Sequence, residues 1–279
     1  MKLLDCQLDI ISDGTLRLDG GAMFAVVPKT IWEKVAQPDE KNRILIGLNC
    51  LLIRTEKENI LVDTGIGEKW TKKQIDIYAI SHPPTILTSL AKLGLTADDI
   101  SIVINTHLHF DHAGGNTSFN SKGQIVPTFP KARYFVQKQE YLHACNPHER
   151  DRASYLAENW EVLLENNQLY FIDGTQEISK NITVFRVPGH NLDTQLVKIT
   201  SQDTTVIFLA DIIPTTAHLP VAWIMAYDLY PVELIEQKKH LLEEASSQNW
   251  VCIFEHDVKI PAGKIIKSNN TYQVIPIDF

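Results

Sequence analysis

The chain has 279 residues, 26 Lys+Arg against 34 Asp+Glu, a net charge of −8, and is 44% hydrophobic and 22% charged. These are values of a folded globular protein and exclude a disordered or fibrous chain. The acidic balance argues against bulk attachment to nucleic acid or anionic membrane, which relies on clustered Lys and Arg. No stretch reaches the roughly 18 to 20 uninterrupted apolar residues of a membrane span.

Asp5 interrupts the N-terminal sequence before an apolar stretch can form, so no signal peptide is expected and a cytoplasmic location is. Cys6, Cys50, Cys145 and Cys252 are far apart and are expected to be reduced thiols, mostly in the core. In chain order, Ile44–Ile53 and Asn59–Val62 read as strands, the second ending at the turn Asp63-Thr64-Gly65. A helix is expected from about Pro84 to Leu93, stopping at Gly94, then a capped turn at Thr96–Asp99 and a buried strand at Ile100–Ile104. Ala132–Val136 reads as a strand and Arg150–Asn166 as a helix with Trp160, Leu163 and Leu164 partly buried. Strands follow at Ile182–Val187, Gln195–Thr200 and Thr205–Leu209. Pro231 opens a helix whose stripe carries Leu234, Lys238, Leu241 and Ala245, and Trp250–Phe254 is the last strand. The order of elements repeats in two halves, without a sequence repeat, and predicts one domain over 1–279 with sheets inside and helices outside.

The chemistry concentrates in Asn105-Thr106-His107-Leu108-His109-Phe110-Asp111-His112-Ala113-Gly114-Gly115-Asn116. At a strand end, residues two apart point the same way, so His107, His109 and Asp111 converge and His112 adds a further nitrogen. Three imidazoles and a carboxylate within six positions suit a borderline divalent cation. Ten histidines in 279 residues make this cluster a pattern rather than scatter. Three later strands also end in metal-ligand residue types, at His190, Asp211 and Glu255-His256.

With these residues in order, the chain resembles the metallo-β-lactamase superfamily over nearly its whole length, and Asp63-Thr64-Gly65 resembles that family's Asp-x-Gly turn. The segments Asp19–Phe24, Val27–Lys29, His109–Ala113, Asp211–Thr215 and Trp223–Asp228 look closest to YtnP-type quorum-quenching lactonases, a branch similar to methyl parathion hydrolase. The resemblance implies a layered α/β fold, the αββα sandwich. It also implies two divalent cations, zinc first with iron, manganese or cobalt as alternatives. One would be held by His107, His109, His190 and Asp211, and the other by Asp111, His112, His256 and the bridging Asp211. Asp63 would orient a ligand imidazole.

Two such cations lower the pKa of a shared water and make a nucleophile at neutral pH, with Asp111 as the catalytic residue that orients it or moves a proton. Relatives with a Cys in place of Asp211 or a Glu in place of His109 carry β-lactam or redox diiron chemistry, and this chain has neither residue there. Several acyl-homoserine lactonases place a Tyr three residues after the bridging Asp; here that position is Pro214. Tyr227 and His218 are the candidate substitutes, and Phe24 and Trp223 the candidate apolar contacts for an acyl chain or aromatic group. The expectation is a hydrolase that opens an N-acyl-homoserine lactone or related lactone, with no nucleic-acid or membrane partner. A homodimer is one option for its oligomeric state. The alternatives are an aryl-ester or phosphotriester hydrolase and, ranked lower, a non-catalytic metal-dependent binding protein.

Overall fold

A computed structural model describes every residue except Leu4, Asp203 and Asn270. Its strands are β1 (Gln7–Asp19), β2 (Arg43–Arg54), β3 (Asn59–Val62), β4 (Ile102–Ile104), β5 (Thr117–Phe119), β6 (Ile125–Pro127), β7 (Arg133–Gln137) and β8 (Leu169–Ile172). They continue with β9 (Gln176–Ser179), β10 (Ile182–Arg186), β11 (Gln195–Ser201), β12 (Thr204–Phe208), β13 (Val251–Ile253), β14 (Ala262–Ser268) and β15 (Thr271–Pro276). One sheet has the order β1-β2-β3-β4-β7-β8, the other β15-β14-β13-β12-β11-β10-β9, and β5 pairs with β6 alone.

The continuous apolar run of β2 is buried on both sides, as expected of a strand covered on both faces. Leu51 and Ile53 join Ile60, Val62 and Ile104 against Val197, Ile199 and Phe208 of the second sheet. Leu52 points the other way and packs with Leu61, Val103, Ile86 and Leu90 under the helix Ile86–Lys92. Helix Pro231–Ser247 covers the second sheet through Leu234, Leu241, Leu242 and Ala245. The layers are therefore helix, sheet, sheet, helix.

One expected element is corrected. Residues 150–166 are not a continuous helix but two short 3-10 turns, Arg152–Ser154 and Ala157–Asn159, followed by helix Glu161–Glu165. Tyr155 is extended between the turns because it pairs as a lone bridge with His109, a tertiary contact that overrides helix propensity. Trp160 and Leu163 are buried, whereas Leu164 is exposed. Of the cysteines only Cys50 and Cys252 are buried, and Cys145 is exposed. No helix among the described residues is long and apolar enough to cross a membrane.

Candidate metal centre

Parallel strands β3 and β4 end side by side, which sets the turn Asp63-Thr64-Gly65 beneath the His107–His112 segment. The backbone there is tightly interlocked: Thr64 donates from its amide to the His112 carbonyl at 2.8 Å, and Gly115 donates to the Gly65 carbonyl at 3.2 Å. Gly65 has φ +71°, and a Cβ on it would sit 2.3 Å from Asp13. Gly115 is required for a different reason, since a Cβ there would lie 2.2 Å from the Thr64 carbonyl oxygen.

On this base, two groups of side chains converge: His107, His109, His190 and Asp211, and beside them Asp111, His112 and His256. His190 Nε2 lies 3.1 Å from both His109 Nδ1 and Asp211 Oδ2, and His107 Nε2 is 3.8 Å from the same oxygen. In the second group His256 Nε2 is 3.3 Å from His112 Nε2 and 3.8 Å from Asp111 Oδ2. A tetrahedral cation with bonds of about 2.0 to 2.2 Å places its ligand atoms about 3.3 to 3.6 Å apart, so both groups have the spacing that a cation needs. Asp211 faces both, its Oδ2 toward His190 and its Oδ1 3.1 Å from His256 Nε2. His107 Nε2 and Asp211 Oδ1 are buried without a hydrogen-bond partner, an arrangement that is costly unless something else satisfies them.

Four of the five rings are held from behind, and only His109 has no such partner, its Nε2 being buried without one. His256 Nδ1 lies 2.8 Å from the Gly47 carbonyl, His190 Nδ1 2.8 Å from Asp228 Oδ1, and His112 Nδ1 3.1 Å from Asp63 Oδ2. Asp63 serves a second ring as well. It accepts from Thr106 Oγ1 at 2.6 Å, and that hydroxyl lies 3.1 Å from His107 Nδ1. These contacts set the tautomers so that the inward nitrogens are lone-pair donors.

Burial drives His107 and His109 well below the ordinary imidazole range, which keeps them neutral. For His190 burial acts in the same direction but Asp211 and Asp228 outweigh it, and for His256 Asp211 and Glu255 raise the value to about 9. The carboxylates thus place a strong negative field where cations would sit.

Sequence reasoning did not assign a role to two acids that belong here. Asp228 holds His190, and its place at the end of the Trp223–Asp228 segment was the available signal. Glu255 is fully buried, with Oε2 3.0 Å from His112 Nδ1, and burial pushes its pKa up to about 8. It directly precedes His256, but nothing in the sequence shows that it turns toward His112.

The substrate-facing candidates divide. Asp111, His109 and Asp211 keep 7%, 6% and 6% exposure while His107 and His112 have none, so the centre opens between these three residues. Phe110, next to Asp111 in the chain, forms an aromatic cluster with Tyr78 and Trp70, at ring-centroid distances of 5.2 and 5.3 Å. Tyr227 is half-buried, and burial, followed by the field of Asp111, raises its phenol and keeps it an O–H donor.

Trp223 is half-buried, its ring edge-on to Phe24 at 5.7 Å. Phe24 itself is fully buried, stacked between Trp32 and His218, and is corrected from pocket lining to support beneath Trp223. His218 has Nδ1 2.8 Å from Thr215 Oγ1 and Nε2 2.8 Å from the Met23 carbonyl, which leaves neither nitrogen for a substrate.

A family profile described as Metallo-beta-lactamase superfamily matches residues 45–256. The N-acyl homoserine lactonase of Bacillus thuringiensis is 28% identical over 226 residues, 75% of this chain and 81% of that protein. For the N-acyl homoserine lactonase of Bacillus cereus the figures are 29% over 171 residues and 57% of this chain; the chain spans 61% of that relative's length. A probable metal-dependent hydrolase from Staphylococcus aureus superposes with a TM-score of 0.90 at 31% identity, covering 100% of this chain and 99% of that one. AidC, a dizinc quorum-quenching lactonase solved with its product N-hexanoyl-L-homoserine, superposes at 0.82 with 23% identity, over 100% of this chain and 97% of its own.

Proposed function

The chain belongs to the metallo-β-lactamase superfamily, and from that premise we propose that it is a two-metal hydrolase that opens N-acyl-homoserine lactones or closely related lactones, working as one domain over 1–279. The observation that carries this reading is Asp211 standing between two groups of buried ligand atoms, with Oδ2 3.1 Å from His190 Nε2 and 3.5 Å from His112 Nε2, and Oδ1 3.1 Å from His256 Nε2. His107, His109, His190 and Asp211 would hold one cation, and Asp111, His112, His256 and Asp211 the other. Zinc suits the nitrogen-rich set, with iron, manganese and cobalt as substitutes. When bound, the pair lowers the pKa of water and polarises a carbonyl.

The chain's own residues do the rest. Asp111, at the open edge, accepts the proton of the attacking water and orients it. Asp63, Asp228 and the Gly47 carbonyl keep the imidazole lone pairs inward. With Pro214 where several lactonases carry Tyr, the Tyr227 phenol donates to the substrate, since it stays protonated beside Asp111. Phe110, Tyr78 and Trp70 offer an apolar wall for the acyl chain. Lactone chemistry is further supported by the lactonase relatives, and the branch similar to YtnP-type lactonases is the finer placement we favour.

The test is a substrate panel on metal-quantified protein, with acyl-homoserine lactones, aryl esters and phosphotriesters run side by side. Acid release should be fastest from the lactones. A phosphotriester or aryl ester with the higher kcat/KM would replace the lactonase reading. Tight lactone binding without acid release would identify a binding protein.

A further inference from the structure

We propose that Lys238 is a positioning residue whose ammonium group holds the segment Thr215–Asp228 in the shape that presents Trp223 and Tyr227 to the metal centre. Lys238 lies in the buried stripe of helix Pro231–Ser247 between Leu234 and Leu241, and it has no exposed surface. An apolar residue is the ordinary occupant of such a position, because a buried charge is costly unless it is compensated. Here the compensation comes from one stretch of backbone. Nζ donates to the carbonyl oxygens of Trp223 at 2.7 Å, His218 at 2.8 Å and Pro220 at 3.3 Å. Three N–H groups thus meet three acceptors.

The segment they grip contains only one short 3-10 turn, Thr216–His218, so its inward carbonyls have no ladder to join. Its remaining anchors are few. They lie toward its two ends: Thr216 donates from its amide and hydroxyl to Asp257 at 2.8 and 2.6 Å, the ring of His218 lies 2.8 Å from the Met23 carbonyl, the Ala226 amide donates to the Ala22 carbonyl at 2.7 Å while its carbonyl accepts from Arg150, and Asp228 meets His190 at 2.8 Å. Between His218 and Met225 the ammonium group is the central tie. Trp223, whose carbonyl makes the shortest of the three bonds, also rests its ring on Phe24. Tyr227 follows four residues later and lies in the field of Asp111 and Asp211. Loss of the tie would let this wall relax while leaving Asp228 on His190, so substrate affinity would suffer before metal binding or chemistry.

The inference rests on the substrate-site reading above only for its kinetic consequence. Its structural core is tested by amide hydrogen exchange in the metal-loaded full chain, comparing the unmodified protein with Lys238→Met. Exchange across residues 216–228 should accelerate about tenfold or more, while the helix around position 238 and the metal content stay unchanged. With a lactone series, KM should rise about tenfold with kcat within about threefold.

Unchanged exchange in 216–228 overturns the proposal. So does exchange that rises equally throughout the protein, or a loss that falls on kcat and metal content with KM unmoved. Should Lys238→Met fail to fold, Lys238→Leu, which likewise offers no donor, is measured in the same way, and normal exchange in the segment again overturns the proposal. If the unmodified protein turns over no lactone, the functional reading fails while the exchange result still decides the role of the lysine.

Discussion

The support behind His190 offers a sharp test, because Asp228 is engaged on both oxygens and has only 3% exposure. Oδ1 lies 2.8 Å from His190 Nδ1 and Oδ2 accepts from the Met225 amide at 2.6 Å. In Asp228→Asn only one of these atoms remains an acceptor. If the amide oxygen stays on the Met225 N–H, the new NH2 faces His190 Nδ1 and drives the ring proton to Nε2. That atom is 3.1 Å from both His109 Nδ1 and Asp211 Oδ2, and a protonated Nε2 cannot bind a cation. If the amide is reversed, NH2 meets the Met225 N–H and a buried hydrogen bond is left unmade, at about 1 to 3 kcal/mol.

The first outcome lowers affinity at the His107, His109, His190 and Asp211 group by about 10- to 100-fold, or about 1.4 to 2.7 kcal/mol, whereas the second falls on stability. Chelator competition followed by elemental analysis reads this directly, with Asp228→Ala as a comparison that imposes no tautomer. We expect the Asn variant to release one cation at chelator concentrations that leave the unmodified protein loaded, and to be at least as impaired as the Ala variant. Retention of both cations with an unchanged competition curve and unchanged stability would refute the argument that Asp228 sets the His190 tautomer.

Three further outcomes are expected. His109→Ala should lose a cation and activity, whereas Asp63→Asn should keep both cations at about 10- to 100-fold weaker affinity; normal metal content and turnover in His109→Ala would disprove its assignment. Phe24→Ala should cost about 3 to 5 kcal/mol of stability and affect short and long substrates alike, while Phe110→Ala should flatten the rise of kcat/KM with acyl length. Urea unfolding and a lactone length series separate these effects, and the reverse pattern would return Phe24 to the pocket.

The third outcome concerns pH. Burial raises the Glu140 carboxyl to about 7 although it accepts from the Leu108 amide and the Tyr155 hydroxyl. The fold therefore favours its protonated form, so this contribution to stability is fully present below about pH 4.5 and is lost as pH rises to about 7, by about 3 kcal/mol. In chelator-treated protein Glu140→Gln should abolish that decline, and equal pH slopes for the two proteins would contradict it.

Local periodicity and short spacing were legible in the chain. The apolar runs of β3, β4 and β13, and of Cys50 to Ile53 in β2, are continuous because those residues are buried on both faces, and that pattern survives without tertiary information. The spacing of His107, His109, Asp111 and His112 likewise reads as one cluster, because alternation along an extended backbone is a local property. The N-terminal strand β1 and the hairpin of β14 and β15 were not legible, since their alternation is mixed with polar and exposed residues.

What only the tertiary structure decided is how distant side chains orient one another. Asp211 and His256 come from the ends of adjacent strands β12 and β13, and their approach to the first cluster depends on the stacking of two sheets. Which imidazole nitrogen faces inward is set by Gly47, 209 positions from His256, and by Asp228, 38 from His190. The same physics explains the misread residues. Phe24, His218 and the 150–166 stretch carry ordinary local signals, but stacking against Trp32, hydrogen bonds to Thr215 and Met23, and the bridge from Tyr155 to His109 fix their places. A sequence states which groups are available; packing at long range selects which of their faces are spent on the protein and which remain for chemistry.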